Sequence, residues 1–386
     1  MHNYFKKKFN NFVYRGIRSK GFRFFYRIFH LFKVKPNRIL FASDSHSNLD
    51  GNFKFIYSEL IKRDSQLDIR FMLKSSIGTK KTIKELVLLA YYIATARFII
   101  IDDFYPMIYP LKIRSGADLI QVWHAVGAFK KFGFSRSELP GNQLYTSLYH
   151  KNYTKVVVSS QSVVKHYAEG FGISKDKIYP IGIPRTDVFF DEQYKHLKRK
   201  ELLNRYPYIK NKKVILFAPT FRGNGQNSAY YPFEQLDLKL LYEKLNSEYI
   251  FFFKLHPFIT TKIDIPAQYQ DFFFDHFKQD INELLFITDI LITDYSSVCF
   301  EFALFDKPMM FYAFDLGEYK YQRDFYFDYH SFIPGNMVRT MDEMVEKIIH
   351  GDFSKEKIKD FVDYFYDYKD GLSSKRFVEQ LIIQKL

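Results

Sequence analysis

Short apolar runs, each stopped by a polar residue or a proline, alternate along most of this chain with stretches of helical periodicity. The runs Arg38–Ala42, Leu67–Leu73, Phe98–Asp102, Leu119–Trp123, Lys155–Ser159 and Ile178–Ile183 read as strands. Phe53–Arg63, Thr82–Ala96 and Ser162–Gly170 read as the helices between them. The pattern then restarts. Lys213–Ala218, Tyr249–Leu255, Ile290–Thr293 and Pro308–Tyr312 read as strands, the last of them the final one. Asp191–Arg205, Pro232–Leu245, Asn282–Thr288 and Ser296–Phe305 read as helices. Strands that are apolar throughout need a sheet covered on both faces, and strand–helix alternation makes that sheet parallel. Two successive sets predict an α/β fold of two Rossmann-like domains, at 38–190 and 191–354, facing a central cleft. Residues 355–386 read as closing helices that pack back on the first domain. With 386 residues, 47% of them apolar, the chain can supply two cores of ordinary size.

The remaining segment, 1–37, is of another kind. The chain carries 57 Lys and Arg against 43 Asp and Glu, and the excess is local. Residues 1–38 hold eleven Lys and Arg and no acid, so the rest is nearly neutral. Aromatics recur there at helical spacing, in Phe5, Phe9 and Phe12, then in Phe22, Phe25, Phe29 and Phe32. A basic, aromatic helix can lie in a lipid headgroup layer, or its rings can pack on the protein while its charges are solvated. A neutral body is unlike a nucleic-acid binder, which spreads charge over a face, so no nucleic-acid partner is expected. The charges interrupt any secretory signal, and Arg97 interrupts the best spanning candidate, Leu86–Ile101. The expected address is cytoplasmic. The single cysteine, Cys299, excludes an intrachain disulfide framework and a cysteine-rich zinc site.

In open parallel sheets ligands bind at the carboxyl ends of strands, so polar residues that come directly after apolar runs are the ones to inspect. His124 comes after such a run, with Lys130 and Lys131 shortly behind it. A histidine here can accept a hydroxyl proton, and lysines can hold phosphate oxygens; a satisfied histidine and a solvated pair fit as well. Thr220 and Arg222 come after Pro219, and a guanidinium suits phosphate as it suits a carboxylate. His256 ends the next run. Asp294, Ser296 and Ser297 open a helix whose start offers N–H groups to a phosphate or to an ordinary cap, with Glu301 one turn on to reach a ribose hydroxyl. Gly182, Pro184 and Arg185 suggest a hinge, and Arg323 is a further cation for phosphate. No Walker loop, GxGxxG fingerprint, HExxH motif, GxSxG elbow or Asp-x-Asp metal motif occurs, and no metal or cofactor is expected. Histidines, cations and a hydroxyl-rich helix start suit binding a nucleotide diphosphate and transferring part of it.

WHAVGAFKKFG, GIPRTD, APTFR, KLHP, TDYSSVCFE and YQRDFYFDY…PG, in this order from about Arg38 to Pro334, resemble the CDP-glycerol glycerophosphotransferase family of teichoic acid and capsule synthesis. The length is similar to its short, primase-like members. The resemblance implies a GT-B-like fold and an enzyme that moves glycerol phosphate from CDP-glycerol to a hydroxyl of a polyprenyl-diphosphate-linked saccharide or growing polymer, releasing CMP. CDP-ribitol as donor, or a nucleotide sugar on the same fold, are the alternatives. By the resemblance His124 is the catalytic base and His256 the second functional histidine. Thr220, Arg222, Asp294, Ser296, Ser297, Glu301 and Arg323 fall on the donor side, and Lys130 and Lys131 on the acceptor side. A lipid-linked acceptor implies peripheral attachment to the cytoplasmic face of an anionic membrane. Two positions depart from the family's pattern: Ala125 stands where many members have Gly after Trp-His, and Asp324 stands where a small residue is frequent.

Overall fold

A computed structural model describes residues 16–63, 66–74, 79–136, 148–276 and 278–386. The first aromatic repeat of the basic segment, Phe5 to Phe12, lies outside the described residues. Two compact units emerge. The first takes the chain up to Ala125, Phe132–Asp187 and Asp367–Leu386; the second takes Val126–Lys131 and Val188–Tyr366.

The first unit is built on β1 (Lys35–Ala42), β2 (Asp68–Met72), β3 (Ala96–Ile101), β4 (Asp118–Gln121), β5 (Lys155–Val158) and β6 (Ile178–Pro180). All pair in parallel, in the order β2-β1-β3-β4-β5-β6. The second unit uses β7 (Lys213–Phe217), β8 (Tyr249–Phe253), β9 (Phe273–Asp275), β10 (Ile290–Thr293), β11 (Met309–Tyr312) and β12 (Asn336–Val338). Its order is β12-β11-β10-β7-β8-β9, again all parallel. This is the Rossmann order. In each sheet the order of strand addition switches side once, between β1 and β3 in the first unit and between β7 and β10 in the second. There the chain ends diverge and leave a crevice at the carboxyl edge.

The central strands coincide with the apolar runs because burial on both faces demands such runs. β9 and β12 are three-residue edge strands, too short to carry a long apolar run, and β12 rather than Pro308–Tyr312 is the last strand. The start of Pro232–Leu245, up to Asp237, is loop and a short 3₁₀ turn; the α-helix spans Leu238–Leu245, where Asp237 caps it by accepting from Leu240 N–H.

The closing helices divide. Glu356–Phe365 lies in the second unit, where Phe361 and Phe365 pack on Phe300 and Phe332. Residues from Asp367 onward lie in the first unit. There the carboxylate of Asp187 accepts the N–H groups of Ser373 and Ser374, both at 2.8 Å, at the start of the helix Ser373–Phe377. The Cβ of any residue replacing Gly182, which has φ +89°, would fall 2.3 Å from Ser373 Oγ. Gly182 and Asp187 of the GIPRTD motif thus seat the returning chain.

The described part of the basic segment divides its two faces. Phe22 and Tyr26 are buried, Tyr26 donating to Lys112 O, and Phe29 meets Tyr91 edge-on. Phe24 and Leu31 stay 60% and 86% exposed, alongside exposed Arg23 and Arg27. Among the described residues no helix is long and apolar enough to cross a membrane.

Candidate active site

His124 lies just beyond β4 in the first unit. The backbone before it is strained: Trp123 has φ 51°, uncommon for a residue with a side chain. The side chain of Gln121 accepts Trp123 N–H, and Asn52 donates to the carbonyls of Val122 and Trp123. Gln121 is itself held by Tyr153 OH and Asp103 O. The ring of Trp123 tilts against His124 at 4.4 Å. Strain that neighbours over-determine in this way is characteristic of functional positions. His124 remains 49% exposed, with Nδ1 3.2 Å from Asp103 Oδ1.

Asp103 lies just beyond β3 and also accepts from Ser45 Oγ at 2.6 Å and from Phe104 N–H. Burial opposes its ionisation, but the bonds to His124, Ser45 and Phe104 N–H outweigh burial and hold its carboxyl well below the usual carboxylate range. A carboxylate facing Nδ1 fixes the proton there and leaves Nε2 as the basic nitrogen.

A second pair stands beside it. His46 Nδ1 lies 2.8 Å from Asp102 Oδ2, and that hydrogen bond, against burial, raises the imidazole's pKa. Ser43–His46 leave β1 and Asp102–Asp103 leave β3, so both pairs gather at the point where the strand order of this sheet switches side.

In the second unit the ends of β10, β7 and β8 are neighbours. Asp294, after β10, accepts from Thr220 N–H at 2.7 Å and from Arg222 at 2.9 Å. Arg222 also forks onto both oxygens of Asp315 and donates to Thr220 O. Its guanidinium sits among the rings of Tyr231, Tyr295, Phe314 and Tyr319, and the side chain is 8% exposed. Burial would favour loss of its proton, yet the two carboxylates keep its pKa above the usual arginine value.

His256, after β8, packs on Phe221 at 4.7 Å and accepts Phe258 N–H on Nδ1, so Nε2 carries the proton. Arg323 donates to Gly223 O and lies over the ring of Phe221. Ser296 and Ser297 are half-buried before the helix Val298–Ala303, with Ser296 Oγ accepting Val298 N–H; Glu301 is buried within that helix.

Lys130 and Lys131, read from sequence as acceptor-side residues, lie in the second unit. The turn at Gly127 (φ +64°) brings the loop against Phe300, whose ring leaves no room for a Cβ. Phe129 stacks on Phe325 and Phe332, and Lys130 bridges Phe325. Burial, opposed by Asp294 and reinforced by Arg323 and Arg222, brings the Lys130 ammonium down to about 8. Lys131 pairs with Asp324 at 2.6 Å.

The structure therefore gathers Thr220, Arg222, Asp294, Arg323 and Lys130 at the carboxyl edge of the second sheet, with His256 beside Phe221. Sequence reasoning passed over Asp102, Asp103, Ser45 and His46, although each comes shortly after an apolar run and the strand-end rule reaches them. It also passed over Asp315, the second carboxylate of Arg222. Among the described residues no group of three or more His, Cys, Asp or Glu has the arrangement to hold a metal ion.

A profile of the CDP-glycerol:poly(glycerophosphate) glycerophosphotransferase family matches residues 24–383. The teichoic acid poly(ribitol-phosphate) polymerase of Bacillus spizizenii is 53% identical over 377 residues, which are 97% of this chain and 61% of that protein. The chain thus spans about three-fifths of that relative. The Staphylococcus aureus teichoic acid ribitol-phosphate polymerase TarK is 43% identical over 371 residues, 94% of this chain and 72% of its own. Among solved structures, the wall teichoic acid polymerase TagF superposes with a TM-score of 0.77 at 22% identity, covering all of this chain and 98% of that one. That likeness shows the fold, two Rossmann-like units of GT-B type.

Proposed function

The chain belongs to the CDP-glycerol:poly(glycerophosphate) glycerophosphotransferase family, and from that premise we propose that it transfers an alditol phosphate from a CDP-alditol to an acceptor hydroxyl in teichoic acid synthesis. The observation that carries the reading is the convergence, where the strand order of the second sheet switches side, of Thr220, Asp294 and Ser296 with the cations Lys130 and Arg323. Such a crevice suits a nucleotide diphosphate. Ribitol phosphate is placed ahead of glycerol phosphate, because the Bacillus spizizenii and Staphylococcus aureus relatives named above are ribitol-phosphate polymerases.

In this reading the second unit binds the donor. Lys130 and Arg323 face its diphosphate, His256 donates through Nε2 to a phosphate oxygen, and the Ser296–Ser297 turn and Glu301 serve the nucleotide. Arg222 acts indirectly, by holding Asp294 and Asp315 and so the loop that carries Thr220. His124 Nε2 takes the proton of the acceptor hydroxyl as that oxygen attacks the phosphorus bearing the alditol. The bond to the CMP oxygen breaks, CMP leaves with the electron pair, and a phosphodiester remains. Asp103 keeps Nδ1 protonated and offsets the imidazolium. The acceptor is a lipid-linked saccharide or polymer. The exposed Phe24 and Leu31 with Arg23 and Arg27 hold the chain on an anionic membrane surface.

The test is incubation with CDP-ribitol or CDP-glycerol and a short-chain lipid-linked acceptor, with products weighed by mass spectrometry. CMP release with a gain of one alditol phosphate is expected. Release of a nucleoside diphosphate from a nucleotide sugar instead would overturn the reading.

A further inference from the structure

Beside the two His–Asp pairs, the first unit contains a cavity of about 120 Å³ at the carboxyl ends of β1 and β2. Arg18, Lys74, Lys80 and Lys81 line it, and Asp44 is the one carboxylate among its described lining residues. Arg18 reaches Asp44 at 3.2 Å and Lys81 lies 3.8 Å from it. Lys81 is 6% exposed and donates to Ser43 O and Leu73 O. A buried ammonium held over a cavity by two carbonyls is costly unless more negative charge is supplied. Burial, and the push of Lys74 and Arg18, lower its pKa against the pull of Asp44 and Glu85.

The cavity shares a loop with the proposed base. Asp44 lines the cavity, and the next residue, Ser45, donates to Asp103, which pairs with His124. Lys74 N–H donates to His46 O, so the loops after β1 and β2 are tied together there. The donor mouth is built from other residues, in the other unit.

We propose that this cavity is an anion site that takes a phosphate group of the acceptor. The assignment to the acceptor rests on the transferase reading; the anion site itself does not. Its size fits one phosphate, four cations around one carboxylate favour an anion, and its link to His124 through Ser45 and Asp103 suits a group carried by the molecule whose hydroxyl is activated. That phosphate could belong to a lipid-linked diphosphate or to the phosphodiester chain of a growing polymer; the chemistry is the same.

The test uses the full chain and the double variant Lys74→Gln/Lys80→Gln, both solvent-side substitutions that leave buried Lys81 in place, with circular dichroism confirming the fold. Inorganic phosphate is titrated while saturating CMP occupies the donor side. Binding at least about tenfold weaker in the variant is expected; equal binding would overturn the site. Acceptor KM is then measured with a short prenyl-diphosphate disaccharide lacking alditol phosphate, and with a soluble oligo(alditol phosphate) lacking the diphosphate. A rise of about tenfold for one of them, with donor KM unchanged, identifies the source of the phosphate. Weakened phosphate binding with neither acceptor KM altered would overturn the acceptor assignment. If the unmodified chain transfers nothing to any acceptor, the transferase reading fails, while the phosphate titration still decides the site.

Discussion

Asp103 Oδ1 lies 3.2 Å from His124 Nδ1, joining the end of β3 to the loop after β4. Asp103 would thereby position the base without touching substrate. His124→Ala should lower kcat by about 10²–10⁴-fold and leave donor binding intact. Asp103→Asn should lower kcat by about 10²-fold at unchanged donor KM, because the amide no longer offsets the imidazolium. Steady-state kinetics with donor binding measured separately checks both. Wild-type turnover in Asp103→Asn would remove Asp103 from the mechanism.

In the proposed reading Lys130 should make donor affinity depend on pH. Its ammonium is brought down to about 8, so it is cationic below that pH and loses its charge as pH rises through it. Donor KM should therefore climb about tenfold between pH 7 and pH 9.5. Lys130→Met should show the high KM throughout and no such climb. A flat profile in the unmodified enzyme would contradict the assignment.

Arg222 is expected to matter to the fold before it matters to chemistry. Arg222→Met leaves Asp294 and Asp315 facing each other's charge without a cation, at a cost of about 3–5 kcal/mol. Denaturant titration reads this directly. A stable Arg222→Met protein that fails only in donor binding would instead make the guanidinium a ligand of the phosphates.

Gly127 tests the seating of the loop that carries Lys130. At φ +64°, with a Cβ only 2.2 Å from the Phe300 ring, Gly127→Ala should destabilise by about 1–3 kcal/mol. Adding Phe300→Leu should recover part of that loss, measured as a coupling in a double-mutant cycle. Additive losses would show that the ring is not the obstacle.

The exposed side of the basic helix predicts a surface effect without a catalytic one. Phe24→Ser/Leu31→Ser should weaken partition onto phosphatidylglycerol vesicles by roughly tenfold or more while sparing turnover on soluble acceptors. Unchanged sedimentation with vesicles would place the membrane contact elsewhere.

His46 contributes a pH-dependent increment to stability. Its pKa is raised by Asp102, so the pair's contribution is full below the ordinary histidine value and is lost as pH rises through the raised one. His46→Gln should therefore lower Tm at pH 6 and change it little at pH 9.

Much of this molecule is legible from local pattern. β10, Ile290–Thr293, has the same bounds in sequence and structure, because a strand buried on both faces must be apolar from end to end. His124, His256 and Asp294 are found by inspecting the first polar residues after such runs. The basic, aromatic character of residues 1–38 is likewise plain in the chain itself. Pairings between distant residues are a different matter, since any carboxylate could have met any cation. Only the folded chain brings Asp103 to His124, spends the donors of Arg222 on Asp294 and Asp315, and seats residues 126–131 in the second unit while their neighbours remain in the first. Edge strands such as Asn336–Val338 are also settled there, because an edge is half solvated and needs no apolar signature. Local periodicity is dictated by which faces are buried, and so it is written in consecutive residues. Which charge meets which depends on the order in which strands assemble, and that order is a property of the sheet.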